Sequence, residues 1–296
     1  MGYKVLFLTP IYQASGFLDV PYTSQDVKNP ISVLESFRHL DPQPDRFIFL
    51  ENNSCDDTLA KVANFERPKE IVRLWFREDA MNYIERHWHP GEPRISSRYD
   101  LIGICRQFLL QRARKLDPDY AIFLDADVVV LSEDLIDRLC KWENVDIVGA
   151  PYERYFPQGR LLSALWLNPK PTPEYPFQLL PRENIPSDRP TEALAIGGGC
   201  MRLSRKVIQE RTLNFYPVQR PWLGFGPLAE DFGYCLQARA LGYNVYLDPA
   251  AKLAHWVHTP EESGSCAWAT DQYGELTRFS YTDSQTGQNR YSDSLH

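Results

Sequence analysis

"YAIFLDADVVVL", Tyr120 to Leu131, is an apolar run of the kind that fills a protein core, yet it carries Asp125 and Asp127 two residues apart. Burying an ionised carboxylate without a partner is strongly unfavourable, so positive charge must be brought to this pair. The chain supplies its own control. Asp117 and Asp119 in "LDPDY" have the same spacing, but they flank Pro118 in a polar turn where water satisfies them. Asp125 and Asp127 instead lie where an apolar strand runs out, and ligands of open parallel α/β sheets gather beyond the carboxyl ends of strands.

Outward from that run, short apolar stretches alternate with helical periodicity, the pattern of βαβ units and a mainly parallel sheet flanked by helices. Strands are expected at Lys4–Thr9, Arg46–Glu51, Ile71–Phe76, Tyr120–Asp125 and Val145–Ala150, with helices around Ile31–Leu40, Thr58–Phe65, Arg98–Lys115 and Glu133–Trp142. Prolines at 151, 157, 169, 171, 173, 176, 181, 186 and 190 predict a loop-rich insertion. Regularity returns with "ALAIGGGCMRL", a helix "SRKVIQE", a helix "EDFGYCLQARALG" closed by Gly242, and strands in "YNVYLDP" and "KLAHWVH". Beyond about Pro260 the polar tail shows no apolar periodicity.

Two carboxylates at i and i+2 on a strand end can approach one divalent cation, or divide between a cation and a sugar hydroxyl. Oxygen ligands of this kind suit Mg²⁺ or Mn²⁺, which also hold substrate phosphates, so the expected countercharge is a metal ion carrying a diphosphate. Three further segments point the same way. "FLENNSCDDT" places Glu51, Asp56 and Asp57 at a strand end before a helix, although either aspartate also suits an N-cap. "LAEDFGYCL" opens a helix with Glu230 and Asp231, which also complement the helix dipole. "LAHWVH" ends a strand with His255, a possible further metal ligand.

Thr9-Pro10-Ile11-Tyr12, Glu51 to Thr58, Asp125-Ala126-Asp127 and Ala229-Glu230-Asp231 with His255, taken in order, resemble a GT-A fold glycosyltransferase, nearest to glycosyltransferase family 2. The resemblance covers Lys4 to His258. It implies one domain over 1–260, with a nucleotide-sugar half at 1–150 and an acceptor half at 151–260, followed by a tail at 261–296. On this resemblance Thr9, Pro10 and Tyr12 line the base and ribose, Glu51 contacts the nucleoside, and Asp56 belongs to the same donor segment. Arg106 reaches the base or diphosphate. Asp125, Asp127 and His255 hold Mn²⁺ or Mg²⁺, with Asp125 also available to the ribose. Asp231, beside Glu230, takes the proton of the acceptor hydroxyl. The donor is a nucleotide-diphospho sugar, with UDP or GDP expected, and the reaction is a metal-dependent hexosyl or pentosyl transfer to a glycan or other hydroxyl, inverting by in-line attack. Glu51-Asn52-Asn53-Ser54 departs from the family's Asp-Asp-Gly-Ser and leaves nucleotide choice open. A sugar nucleotidyltransferase of related fold is disfavoured because "TPIYQASG" has no Lys or Arg, and a non-catalytic glycan-binding descendant because Asp127, Asp231 and His255 are all present.

The 296 residues are 43% hydrophobic and 24% charged, ample for a core, and the net charge of -7 without a Lys/Arg block disfavours nucleic acid as a partner. No stretch approaches the ~18 apolar residues of a membrane span, and the start reads as neither signal peptide nor, with Leu6 at the sixth position, myristoylation site. A soluble, cytoplasmic protein is expected. Six cysteines without a CxxC pair read as buried thiols. Tyr216, Trp222 and Phe225 could stack on a sugar, and His87 and His89 resemble a metal pair only superficially.

Overall fold

The computed structural model describes residues 2–11, 14, 18–22, 30–52, 54, 56–74, 98–156, 159–167, 177–181, 189–215, 229–255, 279–282 and 289–292. Tyr12, His87, His89, Tyr216, Trp222 and Phe225 lie outside them. In chain order the strands are β1 (Val5–Ile11), β2 (Arg46–Glu51), β3 (Lys69–Arg73), β4 (Tyr120–Leu124), β5 (Val128–Val130), β6 (Ile147–Gly149), β7 (Glu153–Phe156), β8 (Gly159–Leu167), β9 (Phe177–Pro181), β10 (Thr191–Glu192), β11 (Ala195–Ile196), β12 (Cys200–Ser204), β13 (Val245–Leu247), β14 (Leu253–His255), β15 (Phe279–Thr282) and β16 (Asn289–Ser292). The helices are α1 (Val33–Arg38), α2 (Thr58–Ala63), α3 (Arg98–Leu116), α4 (Leu135–Cys140), α5 (Arg205–Gln209) and α6 (Glu230–Ala240).

The central sheet runs β10-β13-β6-β12-β4-β1-β2-β3. It is mainly parallel, with β12 inserted antiparallel between β4 and β6 and β10 antiparallel at one edge. Both faces are covered, which is why its strands read as near-continuous apolar runs. Along β1, Leu6 and Leu8 pack with Cys105, Leu109 and Ala113 of α3 and Tyr234 and Ala238 of α6. Val5 and Phe7 face the other way, towards Val33 and Phe37 of α1, Val62 of α2 and Leu135 and Leu139 of α4. Cys105, Cys140, Cys200 and Cys235 are buried free thiols, as their segments predict. Among the described residues no helix is long and apolar enough to cross a membrane.

The first βαβ half follows its periodicity closely, with β2 at the expected residues. β3 starts two residues early and stops at Arg73, because an edge strand tolerates Lys69 and Glu70 on its half-exposed surface. The proline-rich segment departs further from expectation: β7, β8 and β9 form an antiparallel sheet with β11, where a loop was predicted. Nine-residue β8 contains no proline, and Pro181 is tolerated as the last residue of β9. In the tail, β15 pairs with β16, although its sequence has no apolar period.

Arg202 of β12, fully buried, answers a need that α4 creates. The last carbonyls of a helix have no partner within it. The Arg202 guanidinium donates to the carbonyls of Leu139, Trp142, Val145 and Asp146 at 2.6–3.4 Å, and stacks over Tyr120. Arg202→Met leaves the Leu139 and Val145 carbonyls without their donor, so urea unfolding should show a loss of about 3 kcal/mol or more. A loss under about 1 kcal/mol would mean that water replaces the guanidinium.

Candidate functional site

The parallel register brings the carboxyl ends of β1, β2 and β4 to one rim. Ile11 stands opposite Glu51, and Leu8 opposite Phe123, one residue short of the strand end that delivers Asp125. Pairing with β4 stops at Leu8, so Pro10 falls where β1 has a partner on one side only, which accommodates its missing N–H. Three buried polar atoms on this rim, Thr9 Oγ1, Asn52 Oδ1 and Asp127 Oδ1, have no hydrogen-bond partner among the described residues. Buried polar groups are paired in the great majority of cases, so these three atoms at the carboxyl edge of the sheet make it the candidate place for a ligand.

Glu51, 1% exposed, accepts from the Ser54 N–H at 2.5 Å and from Arg73 Nε at 3.2 Å. Asp56 accepts from the Thr58 N–H at 3.1 Å, the local N-terminal turn of α2, and is exposed. The capping role therefore describes Asp56 as it stands.

Arg106 of α3 supplies positive charge to Asp125. Nη2 donates to both Asp125 oxygens at 2.7 Å, Nη1 donates to Glu230 Oε1, and Asp231 Oδ2 lies 3.9 Å from Nη1. Asp125 thus has a countercharge within the chain, in addition to the metal expected there. Arg106, placed by resemblance at the base or diphosphate, is 1% exposed and surrounded by carboxylates. Burial alone would favour its neutral form, but Asp125, Glu230 and Asp231 reverse this and hold it firmly charged.

The triple glycine makes this contact possible. β12 runs antiparallel to β4, so Asp125 N–H donates to the Gly199 carbonyl and Gly198 comes against Arg106. A Cβ on Gly198 would stand 2.4 Å from Arg106 Cζ and Nη1, and the Gly198 N–H donates to Asp231 Oδ2 at 2.7 Å. The other Asp231 oxygen accepts from the Phe232 N–H at 2.7 Å. One guanidinium facing three carboxylates cannot neutralise them all. Burial first, and the neighbouring Asp231 second, push the Glu230 carboxyl up to about 8 against the opposing pull of Arg106.

Asp127 faces a different partner. β5 pairs antiparallel with β14, setting His255 opposite Val128, and His255 Nε2 lies 3.5 Å from Asp127 Oδ2. Tyr152, which the sequence did not single out, stacks on the His255 ring at 5.2 Å and accepts from the Gly199 N–H at 3.2 Å. The carboxylate oxygen Asp127 Oδ1 is buried without a partner, beside an imidazole, at the edge where a diphosphate would lie. These donors suit a Mn²⁺ or Mg²⁺ ion that completes its shell with water and phosphate oxygens, as such ions do when one or two side chains hold them. Among the described residues, no group of three or more His, Cys, Asp or Glu side chains is arranged as a complete protein cage. Asp125, Asp127 and His255 are therefore brought to one rim but in two environments, with Asp125 held by Arg106. Tyr152 was missed as a site residue because its role depends on a strand pairing between distant segments.

No family model matches the chain. A curated relative, procollagen galactosyltransferase 1-B of Xenopus laevis, is 30% identical over 102 residues, which is 30% of this chain and 16% of that protein. Among solved structures the chain is similar to the mannosyltransferase PcManGT of Pyrobaculum calidifontis in complex with GDP-Man and Mn²⁺ (TM-score 0.49, 12% identity, 89% of this chain and 60% of that one). It is similar also to TarS 1-349 of S. aureus (0.47, 13%, 88% and 61%). A third is glucosyl-3-phosphoglycerate synthase of Mycobacterium tuberculosis with Mn²⁺, UDP and glucosyl-3-phosphoglycerate (0.43, 14%, 89% and 76%). With TM-scores below 0.5, the functional reading rests on the residues of the site, and the chain is described as similar to glycosyltransferases of the GT-A type.

Proposed function

We propose that the protein transfers a sugar from a nucleotide-diphospho sugar to a hydroxyl acceptor, with a divalent cation. The observation that carries this reading is the buried, unpaired Asp127 Oδ1, two residues from an Asp125 that one guanidinium ties to the acidic helix start Glu230-Asp231. A rim of this kind offers one place for a metal-bound diphosphate and another for a base.

Asp127 and His255 would hold the ion, which when bound would stabilise negative charge on the departing diphosphate. Thr9 and Asn52 offer their unpaired oxygens to the hydroxyl or N–H donors of the nucleoside, and Glu51 lies at the end of the neighbouring strand. Glu230 keeps its proton at neutral pH, which leaves Asp231 as the carboxylate that accepts the acceptor's proton. The Gly198 and Phe232 N–H groups fix the orientation of Asp231. A hydroxyl activated there and attacking in line with the departing diphosphate would invert the anomeric carbon. The curated relative's name puts a galactosyl donor first among those to be tried.

A panel of UDP-, GDP- and dTDP-sugars, each with Mn²⁺, should raise the melting temperature for one nucleotide, since a ligand at ~100 times its dissociation constant adds about 2.7 kcal/mol. Asp127→Asn should remove the Mn²⁺-dependent part of that stabilisation and cut turnover about 100-fold or more. Undiminished Mn²⁺-dependent turnover would exclude Asp127 as a ligand.

The raised Glu230 carboxyl also fixes a sign. Below its ordinary value near 4.5, Glu230 is protonated folded and unfolded, and it imposes no penalty. Between about 4.5 and 8 the folded protein retains a proton that the unfolded chain releases, so this group's contribution falls as pH rises. Glu230→Gln cannot ionise. The wild type should lose stability relative to Glu230→Gln from pH 5 to 8 in urea titrations, and parallel curves would show that Glu230 ionises normally.

A further inference from the structure

Arg106 is placed unlike a residue that grips a ligand. Both terminal nitrogens of its guanidinium point at carboxylates of the protein: Nη2 at the two oxygens of Asp125, at the end of β4, and Nη1 at Glu230, in the first turn of α6. Two glycines clear its surroundings. Gly103 sits one turn earlier on α3, where a Cβ would meet the Phe215 carbonyl at 2.3 Å and Glu230 Cβ at 3.1 Å, so α6 can begin directly against α3. Gly198 admits the guanidinium on the other side and, through its N–H, orients Asp231. The clamp thus spans both halves of the rim, the strand that carries Asp125 and Asp127 and the helix that carries Asp231.

We propose that Arg106 is a positioning residue that fixes the start of α6 against the end of β4, setting Asp231 relative to Asp125, and that it does not bind the donor. A lysine cannot replace it, because an ammonium lacks the rigid fork that serves two carboxylates at once. The activity and metal parts of the test rest on the glycosyl-transfer reading; the stability part does not.

Two variants separate the possibilities. Gly198→Ala pushes the guanidinium off Asp125 without removing a charge, and Arg106→Lys keeps the charge but loses the fork. Titration with Mn²⁺ alone, followed by electron paramagnetic resonance, should show about threefold tighter binding in Gly198→Ala, as Asp125 oxygens are released towards the metal edge. Transfer with the donor identified by the nucleotide-sugar panel should lose kcat by about 100-fold in both variants, as misplacement of a reacting group does, with donor KM changed by less than about threefold. A raised donor KM with kcat intact would make Arg106 a donor ligand and overturn the proposal, and so would unchanged kcat with unchanged Mn²⁺ binding. A wild type that binds no Mn²⁺ and turns over no donor rejects the glycosyl-transfer reading alone. The clamp is then decided by a stability cycle between Arg106→Lys and Asp125→Asn: non-additive losses support it, and additive losses overturn it.

Discussion

One guanidinium among three carboxylates is the constraint from which the rest of the rim follows. Neither side is tolerable alone: Arg106 is 1% exposed, and Glu230 and Asp231 are 2% and 6% exposed. Taking one partner away strands the others in a medium of low polarity, which costs far more than the pair contributes when complete. The clamp is therefore a weak source of net stability and a strong source of specificity, since alternative packings of α6 against α3 would bury the same charges unpaired. The excess of negative charge is not an accident of packing. Burial first, with the charge of Asp231 second, favours the protonated form of Glu230, and the surplus of negative charge leaves the rim attractive to a cation.

Much of the fold was legible because the sheet is covered on both faces. Strands of that kind are written as uninterrupted apolar runs, and "RFIFLE" and "YAIFLD" can be read without a partner in view. What could not be read was long-range. The prolines between 151 and 190 pointed to a loop-rich insertion, but a strand needs only a few consecutive residues free of proline, and β8 finds nine. The start of β3 slipped because an edge strand obeys weaker rules than a central one: Lys69 and Glu70 are paired by backbone with β2 while their side chains reach solvent and Arg112.

The site was legible in its residue types and less so in its partnerships. Asp125 and Asp127 announce that charge must be brought to them, and the sequence does not say which charge. Arg106 precedes Asp125 by 19 positions on a helix that returns across the sheet, so their contact exists only once β4 and α3 are packed. The three glycines were readable as a place of close approach, but what approaches is a buried guanidinium at Gly198 and the ring of Tyr152 at Gly199. "GICR" held a signal in retrospect: a glycine one turn from an arginine on an otherwise apolar helix face says that another element comes close enough to meet that arginine.

The two aspartates of the opening motif end in unlike surroundings, and this division is itself informative. Asp125 has both oxygens engaged by the protein, whereas Asp127 keeps one oxygen buried and unpaired next to His255. A chain selected for stability alone would have no reason to leave Asp127 Oδ1, Thr9 Oγ1 and Asn52 Oδ1 unpaired along one edge, since each forfeits about 1–3 kcal/mol of hydrogen bonding. Local rules of folding fail repeatedly along this rim, and functional sites are where such failures are expected. The Arg106 clamp adds a second constraint: by tying Asp125 to Glu230 it fixes the end of β4 against the start of α6, two residues from the aspartate whose oxygen is left unpaired.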